Sequence, residues 1–254
     1  PAMVARAHEL SLAVRLDAPI RLADVPVREA DVTLPLGGDV RGIPLDVKKR
    51  HLESLNALML GRDRRVVDTQ AAYRDEVVEY WYANSEGIML FELRPEVTLS
   101  AVAVARDQGT IERALESLGR RSGWDAVQHR EDQFLAAADR AVALLGAPRV
   151  RGGTYPVVLD PKLAGVFVHE AFGHLSEADF VYKNPQAREM MTLGRRFGGP
   201  DLTIGDDGSA AALRGTLPFD DEGTPTRNTV LIQNGVLVGR LHSRETAAKM
   251  QEAP

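Results

Sequence analysis

A chain of 254 residues has room for one large domain or two ordinary ones, and a make-up of 44% hydrophobic and 26% charged residues suits a globular protein with a sizeable core. A formal net charge of -5 and a pI near 5.7 remove the general electrostatic case for direct contact with nucleic acid or an anionic membrane. No cysteine is present, so neither a disulfide nor a thiolate metal ligand can come from these residues, and no apolar run approaches the roughly 20 residues that a membrane-spanning helix needs.

The opening PAMVARAHELSLAV reads as an amphipathic helix already under way, not a signal peptide, and the last run, RETAAKMQEAP, stops just after a helix-like stretch; both ends read as cut. Residues 17–44 are too rich in Pro and Gly for a long helix. Leu52, Leu55 and Met59 then recur at helical spacing within Leu45 to Gly61, with Gly61 as the C-cap. From Arg64 to Arg106 the period becomes two, and RRVVDTQAAY, EVVEYWYAN, IMLFELR and EVTLSAVAVAR read as four successive strands, with Asn84-Ser85-Glu86-Gly87 as a turn. Helices are predicted over Ile111 to Leu118 and over Glu131 to Gly146, the second with Leu135, Val142 and Leu145 on its apolar stripe. The segment APRVRGGTYP breaks the periodicity and sets a domain boundary near residue 150. Beyond it a short strand, TYPVVLD, leads into a helix with Asp160 as N-cap and Pro161 at its first position. A polar stretch from Asn184 to Pro225 follows, and TVLIQNGVLVGRL reads as a hairpin turning at Asn234-Gly235. The expected class is α+β: an antiparallel meander with flanking helices over 1–150, then a strand–helix unit and a hairpin over 151–254.

That last helix contains VFVHEAFGHLSEADF, residues 166 to 180, in which His169-Glu170 and His174 form H-E-x-x-x-H. Two imidazoles, a carboxylate and an open position suit a catalytic zinc site, where the metal lowers the pKa of its water to about 7 and a neighbouring carboxylate takes the proton. On a regular α-helix, side chains at i and i+4 lie roughly 40° apart around the axis, whereas i and i+5 lie roughly 140° apart. Joint ligation by His169 and His174 therefore demands a turn widened by one residue between Glu170 and His174, and Gly173 lowers the cost of leaving regular geometry. Taken alone, the pattern also fits a helix with two incidental histidines.

PVVLDPKLAGVFVHEAFGHLSEADF resembles the signature of the TldD/PmbA family, named for a proposed modulation of DNA gyrase, in which a helix carries H-E-x-x-x-H followed by a Glu and an Asp. YANSEG, residues 82 to 87, is similar to that family's turn in the N-terminal domain, and FDDEGTPTRNTVLIQNGVLVGRLHSRETA, residues 219 to 247, to its stretch downstream of the helix. The H-E-x-x-x-H places the chain with the TldD-type, catalytic branch. The resemblance implies a cytoplasmic zinc metallopeptidase acting on peptides or unfolded protein segments, as a homodimer or paired with a PmbA/TldE-type paralogue. Carried over by position, His169 and His174 become zinc ligands and Glu170 the general base. The family's third protein ligand is a cysteine further along, which this sequence does not contain.

Glu177, three residues after His174, can reach back to it or substitute as a ligand, and Asp179 is a weaker candidate for the same work. His242, just past the hairpin, is a candidate for the substrate cavity, whereas His8, His51 and His129 sit among charged neighbours and need no function. The acidic clusters at 205–208 and 220–223 lack the alternating ligands of a calcium loop and read as turns. Against the enzyme stands a second reading, a non-catalytic scaffold or regulatory partner in a TldD/PmbA-type assembly; the acidic balance supports no direct contact with DNA.

Overall fold

The computed structural model describes residues 2–14, 19–33 and 37–254; the predicted loop's residues 17–18 and 34–36 and the first helix's Pro1 lie outside the described residues. The architecture is α+β, and the chain divides into two compact units. One comprises residues 27–158 and 207–228; the other comprises 1–26, 159–206 and 229–254.

The first unit is a sheet covered by helices. Its strands are β1 (Glu29–Thr33), β2 (Val66–Ala83), β3 (Met89–Asp107) and β4 (Thr110–Arg120). Strand β3 pairs antiparallel with β2 along its length; on its other edge it pairs in parallel with β1 through residues 89–93 and antiparallel with β4 through residues 97–107. Where four strands were expected, there are two long ones. Neither predicted break has turn chemistry: Arg74-Asp75 runs straight through β2, with Asp75 bound by Lys48. Pro95 lies where the second edge of β3 has no partner strand, between the β1 and β4 pairings, and there its missing N–H removes no bond from that ladder.

The predicted helix over Ile111 to Leu118 is also wrong, for these residues form β4. Gln108 and Gly109 both adopt positive φ, 47° and 86°, and make the two-residue hairpin that returns the chain along β3. The helical spacing of Ile111, Leu115 and Leu118 was overridden by that pairing: Leu118 is buried while Ile111 and Leu115 stay exposed on the other face. Strand β1 falls in a segment that was expected to be loop. Only its pairing with β3 makes it a strand.

Helices α2 (Leu45–Leu60) and α3 (Glu131–Leu144) fill one face of this sheet, with Gly61 capping α2 as expected. Val97, Leu99, Ala101, Ala103 and Ala105 alternate inward from β3, and the small Ala137, Ala138 and Ala141 of α3 allow close approach. The buried stripe of α3 centres on Phe134 and these alanines, so Leu135, Val142 and Leu145 are only partly buried at its margin. His51 packs edge-on against Trp124, 5.4 Å between ring centroids, as part of this core. At the far end of β2, Asn84 Oδ1 accepts from the N–H groups of Glu86 and Ile88 and closes the expected turn. Asp220 Oδ1 likewise accepts from Glu222 and Thr224, and the Tyr82 hydroxyl donates to the Glu222 carbonyl at 3.1 Å, so the stretches 82–87 and 219–225 meet. Gly223 is obligatory there: its φ is +79° and an added Cβ would stand 2.9 Å from the Tyr82 ring.

The second unit contains α1 (Ala2–Ala13), α4 (Pro161–Val168), α5 (Ala178–Lys183), α6 (Pro185–Met190) and α7 (Arg244–Met250), with a small sheet ordered β5 (Ile204–Asp207), β6 (Asn228–Gln233), β7 (Val236–Leu237). The hairpin turns at Asn234 and Gly235 as predicted, both at positive φ. Phe172, Val181, Met191, Leu231, Ile232 and Leu237 form its core. The strand expected at TYPVVLD does not form: among the described residues it has no ladder partner, and residues 154–160 run without regular structure into α4.

Candidate metal centre

Helix α4 starts as its sequence dictates, with Asp160 Oδ1 accepting from Leu163 N at 3.0 Å and Pro161 at the first position. The helix does not continue as an α-helix through the histidines. Residues His169–Gly173 form a π turn, and the His174 N–H bonds to the His169 carbonyl, five residues back. A short 3-10 turn (His174–Ser176) follows before α5. The widened turn is anchored by Phe172, which is buried and meets Phe197 edge-on at 5.4 Å between ring centroids. Gly173 contributes less than expected: its φ and ψ are both -54°, and an added Cβ would meet nothing closer than 3.8 Å, so this π turn does not depend on glycine's freedom.

The extra residue brings the two imidazoles together. Their ring centroids are 4.6 Å apart with an interplanar angle of 74°. Glu170 lies between them, one carboxylate oxygen 4.0 Å from His169 Nε2 and the other 4.0 Å from His174 Nε2. One ligand atom from each of the three residues falls within a 4.8 Å span, the one such trio among the described residues. Two imidazole nitrogens held at about 2.0–2.1 Å by one tetrahedral zinc would stand roughly 3.4 Å apart, a closure well within the reach of exposed rings. Two imidazole nitrogens are donors that zinc accepts, and they supply two of the three protein ligands a catalytic zinc usually takes, with the Glu170 carboxylate beside them, so the residues present fit that metal in part.

Glu177 supplies the orientation. Its Oε1 is 2.8 Å from His174 Nδ1; with the proton on Nδ1, the Nε2 lone pair faces Glu170 and His169. The same hydrogen bond pushes the His174 pKa above its ordinary value, with the charges of Glu177 and Glu170 adding to it. The folded state thus holds the proton more tightly than the unfolded chain does. Its stabilising effect is present below the unfolded pKa and fades as pH rises through the raised folded value. Because an imidazolium cannot ligate, zinc affinity falls as pH drops through that raised value. Glu177→Gln is therefore expected to lower the His174 pKa, read by NMR titration of the metal-free chain; an unchanged or higher value would contradict this account.

Asp179 does not join the cluster: it pairs with Lys183 at 3.5 Å. His242 borders a cavity of about 450 Å³ whose walls include Glu177, Asp179 and Tyr182. Its own side chain is 1% exposed, with Nδ1 3.1 Å from Thr246 Oγ1 and Nε2 3.1 Å from Glu252, so both ring nitrogens already have partners. Sequence reasoning passed over Ser176, which is fully buried and donates to the Phe172 carbonyl at 3.0 Å. A small polar residue inside an otherwise helical stretch was the signal available.

An α+β chain presenting two imidazoles and a carboxylate from one widened helical turn has the donor set of a metal-dependent hydrolase. Comparison with known proteins agrees. The central domain of the PmbA/TldA metallopeptidases matches residues 38–147, and their C-terminal domain matches residues 152–254. The chain belongs to the PmbA/TldD metallopeptidase family. It is 42% identical to a metalloprotease of Synechocystis sp. over 98% of this chain and 54% of that protein. To a zinc metalloprotease TldD homolog of Saccharolobus solfataricus it is 29% identical, over 88% of this chain and 52% of that one. The crystal structure of a Thermotoga maritima protein, described as a candidate modulator of a DNA gyrase, superposes with a TM-score of 0.80 at 25% identity, covering 98% of this chain and 56% of that one. The chain thus spans about half the length of the curated relatives it matches. No helix among the described residues is long and apolar enough to cross a membrane.

Proposed function

We propose that this chain carries the catalytic turn of a TldD-type zinc metallopeptidase that hydrolyses peptides or unfolded protein segments. The observation that carries the reading is the π turn that sets His169 and His174 4.6 Å apart, with Glu170 between them. His169 and His174 would hold the zinc through their imidazole nitrogens, and Glu177 fixes the His174 tautomer. Bound there, zinc would supply Lewis acidity toward a carbonyl or a water. Glu170, between the two imidazoles, would serve as the general base, accepting a proton from water and returning it to the leaving amine. Asp179 stands at the cavity wall beyond Glu177, and His242 shapes that wall from behind. A division near residue 150, with 151–254 in the metallopeptidase domain, is supported by the family matches to 38–147 and 152–254. The compact units instead interleave, with 1–26 grouped with the later residues and 207–228 with the earlier ones.

The side chains of His169, Glu170 and His174 are 62%, 67% and 55% exposed, so the described residues do not themselves exclude water from the reaction. That exposure supports an assembly that covers the site, as a homodimer or with a PmbA/TldE-type paralogue; the cytoplasmic setting rests on the family resemblance alone. The exposure equally favours the scaffold reading, in which the turn serves assembly alone. Hydrolysis of an unstructured polypeptide separates the two: cleavage that a chelator abolishes and zinc restores is expected of the peptidase, and none with zinc bound is expected of a scaffold.

A further inference from the structure

We propose that Ser176 is a positioning residue for the histidine pair: its buried hydroxyl holds the widened turn in the register that sets His174 beside His169. The inference rests on the metal-binding role proposed above for that pair. Ser176 is 0% exposed, and its Oγ donates to the carbonyl of Phe172, a residue inside the π turn, at 3.0 Å. Its carbonyl accepts from Leu241 N at 2.9 Å, and Ala178 N donates to the Leu241 carbonyl at 2.8 Å. The backbone on either side of Glu177 is thereby fastened to the segment that follows the hairpin. The hydroxyl connects that fastened segment to the interior of the π turn, across His174.

Wide turns of this kind are rare and occur mostly as single turns within α-helices, so an added constraint at their end has work to do. Without the hydroxyl, the Phe172 carbonyl loses a partner in a buried place. The turn is then free to narrow toward α geometry, in which residues five apart sit roughly 140° apart around the axis. The histidines separate, and with them the donor pair. Glu177, next in sequence to Ser176, loses its fixed reach to His174 in the same movement.

The test is a double-mutant cycle with zinc affinity as its readout, measured by chelator competition on folded protein. Ser176→Ala is expected to weaken zinc binding by about tenfold or more, the range over which groups that orient a ligand act. Deleting Ala171 restores four-residue spacing, which needs no wide turn, and in that background Ser176→Ala is expected to change affinity by less than about twofold. Equal losses in both backgrounds would show a general structural role and overturn the proposal. Should the alanine variant fail to fold, Ser176→Thr and Ser176→Val, matched in shape, give the same comparison: the hydroxyl variant keeps zinc and the valine variant loses it, while equal affinities overturn the proposal. Absence of zinc binding by the unaltered chain would overturn the metal reading and this inference with it; zinc binding indifferent to Ser176→Ala would overturn only the inference.

Discussion

Replacing Glu170 by glutamine is expected to lower peptide hydrolysis by about 10²–10⁴-fold while leaving zinc in place. The amide keeps the size and hydrogen-bonding reach of the carboxylate but cannot accept the proton of the attacking water. Glu170 is 67% exposed and stands 4.0 Å from each imidazole, so the substitution creates no cavity and breaks no short hydrogen bond. The melting temperature of the metal-free chain should therefore stay where it was. Steady-state cleavage beside zinc content is the measurement. A variant that retains full activity would remove Glu170 from the chemistry, and one that loses zinc would make it a ligand first.

Inserting one alanine between Glu170 and His174 is expected to abolish joint chelation, whereas deleting Ala171 is expected to keep it. The π turn already absorbs one extra residue, so the deletion returns His169 and His174 to four-residue spacing, on one face of a regular helix. Residues beyond the deleted one keep their places, including Phe172 against Phe197. A further residue has no such reservoir, and it rotates His174 by about 100° relative to His169. Zinc affinity by competition titration reads both variants. Retention of zinc by the insertion variant would mean that the two histidines do not act as a pair.

Much of the molecule could be read from local chemistry, because its signals were local. The cap at Asp160-Pro161, the turns at Asn84–Gly87 and Asn234-Gly235, and the alternation along Val97 to Ala105 each depend on neighbours within a few residues. The π turn was legible for a different reason: joint ligation at a five-residue spacing is incompatible with regular helix geometry, so the chemistry demanded the distortion. What escaped was set by pairing at long range. Residues 111–118 have helical spacing, yet the Gln108-Gly109 hairpin lays them along β3; residues 29–33 have no strand signal, yet β3 recruits them. TYPVVLD is rich in strand formers but finds no partner among the described residues. At the site, Glu177 was legible from its place one turn after His174, whereas the burial of the His242 ring depends on Thr246 and Glu252, which spacing alone could not rank.

The central claim is that His169 and His174 hold one metal ion together. Bound zinc per chain, measured by native mass spectrometry for the unaltered protein and for His169→Ala and His174→Ala separately, tests it most directly. The account predicts one zinc in the unaltered chain and its loss, to the same degree, in each single variant. Zinc retained when either histidine is removed would contradict it.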